Sequence, residues 1–249
     1  MRSIRSADRL IQAGRRLAGE VDTLQFVPPV AYVYNPLIYA RDPYERYLSK
    51  FGNGTKRVLF LGMNPGPWGM AQTGVPFGEV STVTNWMGIS GDVGRPKLEH
   101  DKRRIEGFSC KRSEVSGHRL WGLMKRRFRR AEVFFADHFV SNYCPLIFLE
   151  ESGRNRTPDK LASADREALY NLCDAHLGET IEIVSPHWLV GIGQFAVRRL
   201  RQFAGKESQV VSILHPSPAS PRANSGWSEI AERQLVESGV WSEADRGQP

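Results

Sequence analysis

Four short apolar runs, far apart in the chain and each followed by polar or Pro/Gly-rich sequence, constrain the fold more than any other feature. They are residues 58–62 (VLFLG), 139–143 (FVSNY), 187–193 (HWLVGIG) and 209–214 (QVVSIL). Each is too short for a helix and rich in Val, Ile, Leu or Phe, as strands buried on both faces of a parallel sheet are. Helical periodicity lies between them. Residues 116–130 repeat apolar side chains at Leu120, Trp121, Met124 and Phe128. Residues 194–204 and 226–238 form shorter helical patterns, the last with Ile230 and Leu235 inward, and helices at 40–51 and 78–87 flank the first strand. Thr157-Pro158 reads as an N-cap with Pro at the first helical position, opening a helix towards Leu177. Residues 88–112 read as an irregular excursion. Strands alternating with helices predict a parallel sheet covered on both faces.

Length and charge narrow the class. A chain of 249 residues holds one or two domains at roughly 150 residues each, and strands spread over the whole length favour one. The apolar stretches are far too short to cross a bilayer, so no integral membrane protein is expected. The net charge of +7 favours polyanionic partners, nucleic acid first. Residues 125–130 (KRRFRR) serve either as a solvated face or as phosphate contacts. Cys110, Cys144 and Cys173 are odd in number and widely spaced. They make no C-x-x-C pair and no four-cysteine metal site, and a reducing, intracellular compartment is expected. The Arg-rich first twenty residues have some transit-peptide character. They fit an ordinary surface helix better, with Leu10, Leu17, Val21 and Leu24 facing the body.

Ligands of open α/β sheets bind beyond the carboxyl ends of the strands. The first run ends in Met63-Asn64-Pro65-Gly66, the second in Asn142-Tyr143, the third in Gly191-Ile192-Gly193 and the fourth in His215-Pro216. Two asparagines and one histidine are thus expected on one rim. Apart from Cys144, two residues past Asn142, no Asp, Glu, Lys or Cys stands at those strand ends, against the usual nucleophile–base pairs and metal cages. Gly191-Ile192-Gly193 is not a full dinucleotide fingerprint and reads as close strand–helix packing.

Four longer runs carry a resemblance: 59–80 (LFLGMNPGPWGMAQTGVPFGEV), 113–122 (SEVSGHRLWG), 142–158 (NYCPLIFLEESGRNRTP) and 214–227 (LHPSPASPRANSGW). In order and spacing they resemble the single-strand-selective monofunctional uracil-DNA glycosylase family. The match is expected over 24–239, leaving 1–23 as an N-terminal helical extension and 240–249 as a tail. The resemblance implies an α/β fold, a three-layer α/β/α sandwich with a central four-stranded parallel sheet. It implies that Asn64 positions the attacking water and His215 steadies the leaving base. Asn142 would read the pyrimidine, Phe77 would stack on it, and the Met63 backbone with Pro65 would face it. Gly66 would leave room beside C5, where classical uracil glycosylases carry a bulky Tyr. Ser152, Gly153, Arg154, Asn155 and Arg156 fall in a DNA-contacting loop. Pro216, Ser217, Pro218, Ala219, Ser220, Pro221 and Arg222 fall in a wedge. Where animal members carry a wedge arginine this chain has Ala219, with Arg222 three residues on.

The implied activity is removal of uracil and 5-substituted uracils such as 5-hydroxymethyluracil from DNA by base flipping. No metal, cofactor or membrane is called for, and the partner is DNA carrying uracil or oxidised pyrimidines. A monomer is expected, working in a bacterial cytoplasm or a nucleus. Two alternatives are a glycosylase for a deaminated purine and a non-catalytic damaged-base binder.

Overall fold

Val58, Leu59, Phe60 and Leu61 are all sealed from solvent, and the strand they build is the inner axis of the protein. A computed structural model describes residues 5–242. Residues 1–4 of the expected extension and 243–249 of the expected tail lie outside them. The strands are β1 (Tyr32–Tyr34), β2 (Val58–Gly62), β3 (His138–Asn142), β4 (Ile147–Leu149), β5 (Asn155–Arg156), β6 (Trp188–Ile192) and β7 (Gln209–Ile213). The four predicted runs form one parallel sheet in the order β3-β2-β6-β7. Helices cover it, which gives the α/β three-layer arrangement.

The helix Ser6–Val21 packs on Arg41–Phe51 and on Ser163–Val184. Its Leu10, Leu17, Ala18 and Val21 belong to the same core as β2, so residues expected as an extension share the main core of the sheet. Val240 and Trp241, expected in the tail, are buried as well. Arg126 and Arg127 of the basic run pair with Glu232 of the Trp227–Glu237 helix. The Arg127 guanidinium is also 4.7 Å from the Trp241 ring. Arg127 is therefore an internal strut between two helices, a role outside both sequence readings, while Lys125, Arg126, Arg129 and Arg130 are exposed.

One expectation is corrected, and one element is added. Thr157-Pro158 opens only a 3₁₀ turn, Pro158–Lys160, and the long helix begins separately at Ser163. A second sheet, antiparallel in the order β1-β4-β5, was not foreseen, because its strands are only two or three residues long. It matters for the site. After β3 the chain runs through β4, turns at Gly153 with φ +79°, and returns as β5, which carries Asn155 and Thr157 back to the rim.

Candidate active site

The carboxyl ends of the parallel strands open into a cavity of about 240 Å³ lined by Met63, Asn64, Pro65, Gly66, Pro67, Phe77, Glu114, Ser116, Asn142, Asn155, Thr157, His215 and Ser217. That is below the roughly 300–1,000 Å³ of sites for larger ligands and suits one small ring. Register explains the convergence. Gly62 of β2 lies directly opposite Asn142 of β3, and Gly193 after β6 donates its N–H to Ile213 O of β7 at 2.9 Å. The three side chains expected on one rim are brought together.

Asn142 is buried. Its Nδ2 donates to the Met70 sulfur at 3.3 Å, while Oδ1 is buried with no partner. A thioether only accepts hydrogen bonds, so Met70 holds the amide in one flip and leaves the carbonyl as a bare acceptor. Phe77 has φ +53°, an uncommon conformation for a bulky residue. Its carbonyl is fixed by Trp121 Nε1 at 3.0 Å and by the Glu79 N–H at 2.8 Å. The ring is thereby laid against Gly62: a Cβ there would stand 2.5 Å from Phe77 Cε2 and Cζ and would also strike Asn142 Oδ1.

His215 sits over Gly193, where an added Cβ would meet the His215 Cβ at 3.1 Å. The Ser217 N–H donates to His215 Nδ1 at 3.1 Å, which places the proton of the neutral ring on Nε2. Burial lowers the imidazole from its ordinary value, so the ring is neutral at pH 7. Gly191 serves the predicted close packing, since a Cβ would be 2.6 Å from Val197 N. Asn64 directs Nδ2 at the carbonyls of Leu146 (3.3 Å) and Pro65 (3.4 Å). Its Oδ1 has no donor among the described residues and is free to accept from water. Met63 O accepts from the Cys144 N–H at 2.9 Å, tying the loop after β2 to that after β3.

Sequence reasoning missed Glu114, since it looked only at strand ends. This carboxyl enters from the start of the Val115–Phe128 helix, within the quoted run 113–122. Its Oε2 is buried without a partner, and burial together with the charge of Glu79 pushes it up to about 7. Gly66 is correspondingly less open than expected: a Cβ there would lie 2.6 Å from Glu114 Oε1. Met70, Pro67, Ser116 and Thr157 were also missed as lining or supporting groups.

The expected DNA-contacting residues divide. Asn155 lines the cavity. Ser152 and Arg154 are exposed, and Ser152 Oγ accepts from the Arg154 N–H at 3.3 Å. Arg156 is tied to Glu150 (2.9 Å) and to Lys160 O (2.7 Å) and holds the loop closed. In the expected wedge Pro216 is buried, Ser220 half-buried, and Pro218, Ala219, Pro221 and Arg222 are exposed. Arg119 braces that segment by donating to Pro216 O and Asn224 Oδ1, both at 2.9 Å. Pro221 starts a short helix, Pro221–Asn224, that carries Arg222 on the surface.

Comparison with known proteins bears on this geometry. Residues 49–235 match the model of the uracil DNA glycosylase superfamily. The chain is 47% identical over 237 residues, 94% of its length, to the single-strand selective monofunctional uracil-DNA glycosylase of Rattus norvegicus (85% of that protein). It is also 47% identical to the Bos taurus protein of that name, 87% of which is covered. Among solved structures, Pedobacter heparinus SMUG2 superposes with a TM-score of 0.69 at 18% identity, over 96% of this chain and 98% of that one, a likeness of fold alone. With its four-stranded parallel sheet, its rim of Asn64, Asn142 and His215, and these relatives, the chain belongs to the uracil DNA glycosylase superfamily, in its single-strand selective monofunctional branch.

Proposed function

We propose that the protein is a monofunctional DNA glycosylase that hydrolyses the N-glycosidic bond of uracil, and of uracils substituted at C5, after the nucleotide is flipped into the cavity. The observation that carries this reading is the unpartnered Asn142 Oδ1 in the same small cavity as a neutral His215. A pyrimidine with N3–H and O4 matches an acceptor and a donor on one amide. Cytosine presents the reverse order, and each misread buried group would cost roughly 1–3 kcal/mol.

Breaking the C1′–N1 bond leaves positive charge on the sugar and negative charge on the base. Preorganised donors in a dry site stabilise such an anion well. The Nε2–H of His215 is available to donate to O2 of the departing base without any proton transfer. Asn64 is an amide and cannot take a full proton as a carboxylate base would, so its role is to orient water towards C1′. No lysine is among the cavity-lining residues, so no Schiff base forms there and the strand is left intact. Arg154 and Arg222 on the surface supply phosphate contacts, and binding weakens steeply as salt rises.

The test is a panel of single- and double-stranded oligonucleotides carrying uracil, 5-hydroxymethyluracil, thymine, xanthine or hypoxanthine, incubated with enzyme and then with alkali. Alkali-dependent breaks at uracil and 5-hydroxymethyluracil are expected. Breaks only at a purine, or none at any base, would overturn the reading.

A further inference from the structure

We propose that Glu114 is the specificity-determining group for C5 of the base: its carboxyl meets a polar 5-substituent, favouring a hydroxymethyl or formyl group over a methyl. This rests on the reading that Gly66 faces C5. The carboxyl fills the space that the absent Gly66 side chain vacates, with Oε1 2.6 Å from where a Cβ would be. It also closes on Gly69, so neither glycine tolerates a side chain without displacing it. None of the described residues is hydrogen-bonded to it, and Oε2 is sealed from solvent. A buried, unpaired carboxyl is costly unless a ligand completes it. At Oε1, the oxygen beside Gly66, a hydroxymethyl group does so, donating to the ionised carboxyl or accepting from the protonated one. A methyl offers nothing and leaves the group unsatisfied, and sites built to hydrogen-bond a substrate group reject analogues lacking it far more strongly than apolar pockets reject size.

The titratable groups facing this carboxyl are Glu79, whose charge raises it, and His215 in the same cavity, held neutral by burial. A formyl oxygen only accepts, so it needs the protonated acid, whereas a hydroxymethyl group is served by either form.

The experiment compares kcat/KM on single-stranded oligonucleotides carrying uracil, 5-hydroxymethyluracil and 5-formyluracil. The proteins are wild type, Glu114→Leu and Glu114→Gln, assayed from pH 6 to pH 8.5. Relative to uracil, the Leu variant is expected to lose at least tenfold on 5-hydroxymethyluracil, while Gln, which donates and accepts, stays within about threefold. In wild type the formyl-to-hydroxymethyl ratio is expected to fall about tenfold across that pH range and to stay flat in Glu114→Gln. An unchanged hydroxymethyl-to-uracil ratio in the Leu variant overturns the proposal, as does a pH profile identical in wild type and Gln. The wild-type profile decides the matter even if the Leu variant does not fold. A wild type that excises uracil but neither substituted base would instead overturn the underlying reading of Gly66.

Discussion

Replacing Gly62 with alanine perturbs the floor of the cavity with a single methyl group. The residue is in β2, where the backbone accepts any side chain, so the effect comes from contact alone. The new Cβ would stand 2.5 Å from Phe77 Cε2 and Cζ and would strike Asn142 Oδ1, whereas ordinary contact begins at 3.4 Å. Ring and amide must therefore retreat by about 1 Å, a misplacement that costs on the order of 100-fold in rate. Overpacking of this kind also destabilises by about 1–3 kcal/mol, or roughly 2–12 °C in Tm for a chain of this size. Single-turnover excision of uracil from a single-stranded oligonucleotide, with a thermal melt in parallel, measures both. Gly122→Ala is the control: nothing lies within 4 Å of its Cβ position, and in a helix the change gains about 0.5–1 kcal/mol with activity retained. A folded Gly62→Ala protein excising uracil at the wild-type rate would refute the reasoning, because Asn142 and Phe77 could not then be holding the base.

Met70→Leu removes the acceptor that orients Asn142 while nearly conserving volume, at a stability cost below about 1.5 kcal/mol. Uracil excision is expected to fall by roughly 3–10-fold, the worth of one modest hydrogen bond, with the preference over cytosine reduced in the same single-turnover assay. Glu114→Gln is expected to change how stability depends on pH. A carboxyl raised to about 7 in the fold from 4.5 contributes stability that is whole below 4.5 and lost as pH rises through 7. At about 1.4 kcal/mol per unit, wild type loses up to about 3 kcal/mol over that window, and the Gln variant does not. Melting both proteins from pH 5 to pH 8.5 should show Gln gaining on wild type, and parallel curves would contradict the burial argument.

The parallel sheet was legible because strands covered on both faces must be apolar at every position, and 58–62 and 188–192 reach that limit, while the edge strand 209–213 shows it only in part, with Gln209 exposed. The rim was legible for a related reason. Once the strands are parallel, whatever follows each must share one end of the sheet, which places Asn64, Asn142 and His215 together. The rest depends on contacts that the local sequence does not encode. The two- and three-residue strands β1, β4 and β5 are too short to show a period, so the return of Asn155 and Thr157 to the cavity was invisible. Thr157-Pro158 carried a genuine helix-start signal, but the chain spends it on one 3₁₀ turn before the long helix. Phe77 gives no sign of its positive φ, which the bonds from Trp121 and Glu79 sustain. Glu114 lies 50 residues beyond Asn64, at the head of a helix, and only packing against Gly66 and Gly69 brings it to the site. The first helix lies outside the quoted family runs, yet the apolar face read from its own periodicity, Leu10, Leu17 and Val21, joins the core.

On the function proposed above, Asn64 and His215 act together on one everted uracil in this cavity. The most direct measurement is the single-turnover rate of uracil release by Asn64→Ala and His215→Ala, beside the affinity of each variant for the same oligonucleotide. Losses on the order of 100-fold or more in rate are expected, as for deletion of a preorganised oxyanion donor, with DNA binding retained. Variants that release uracil as fast as wild type would contradict that function.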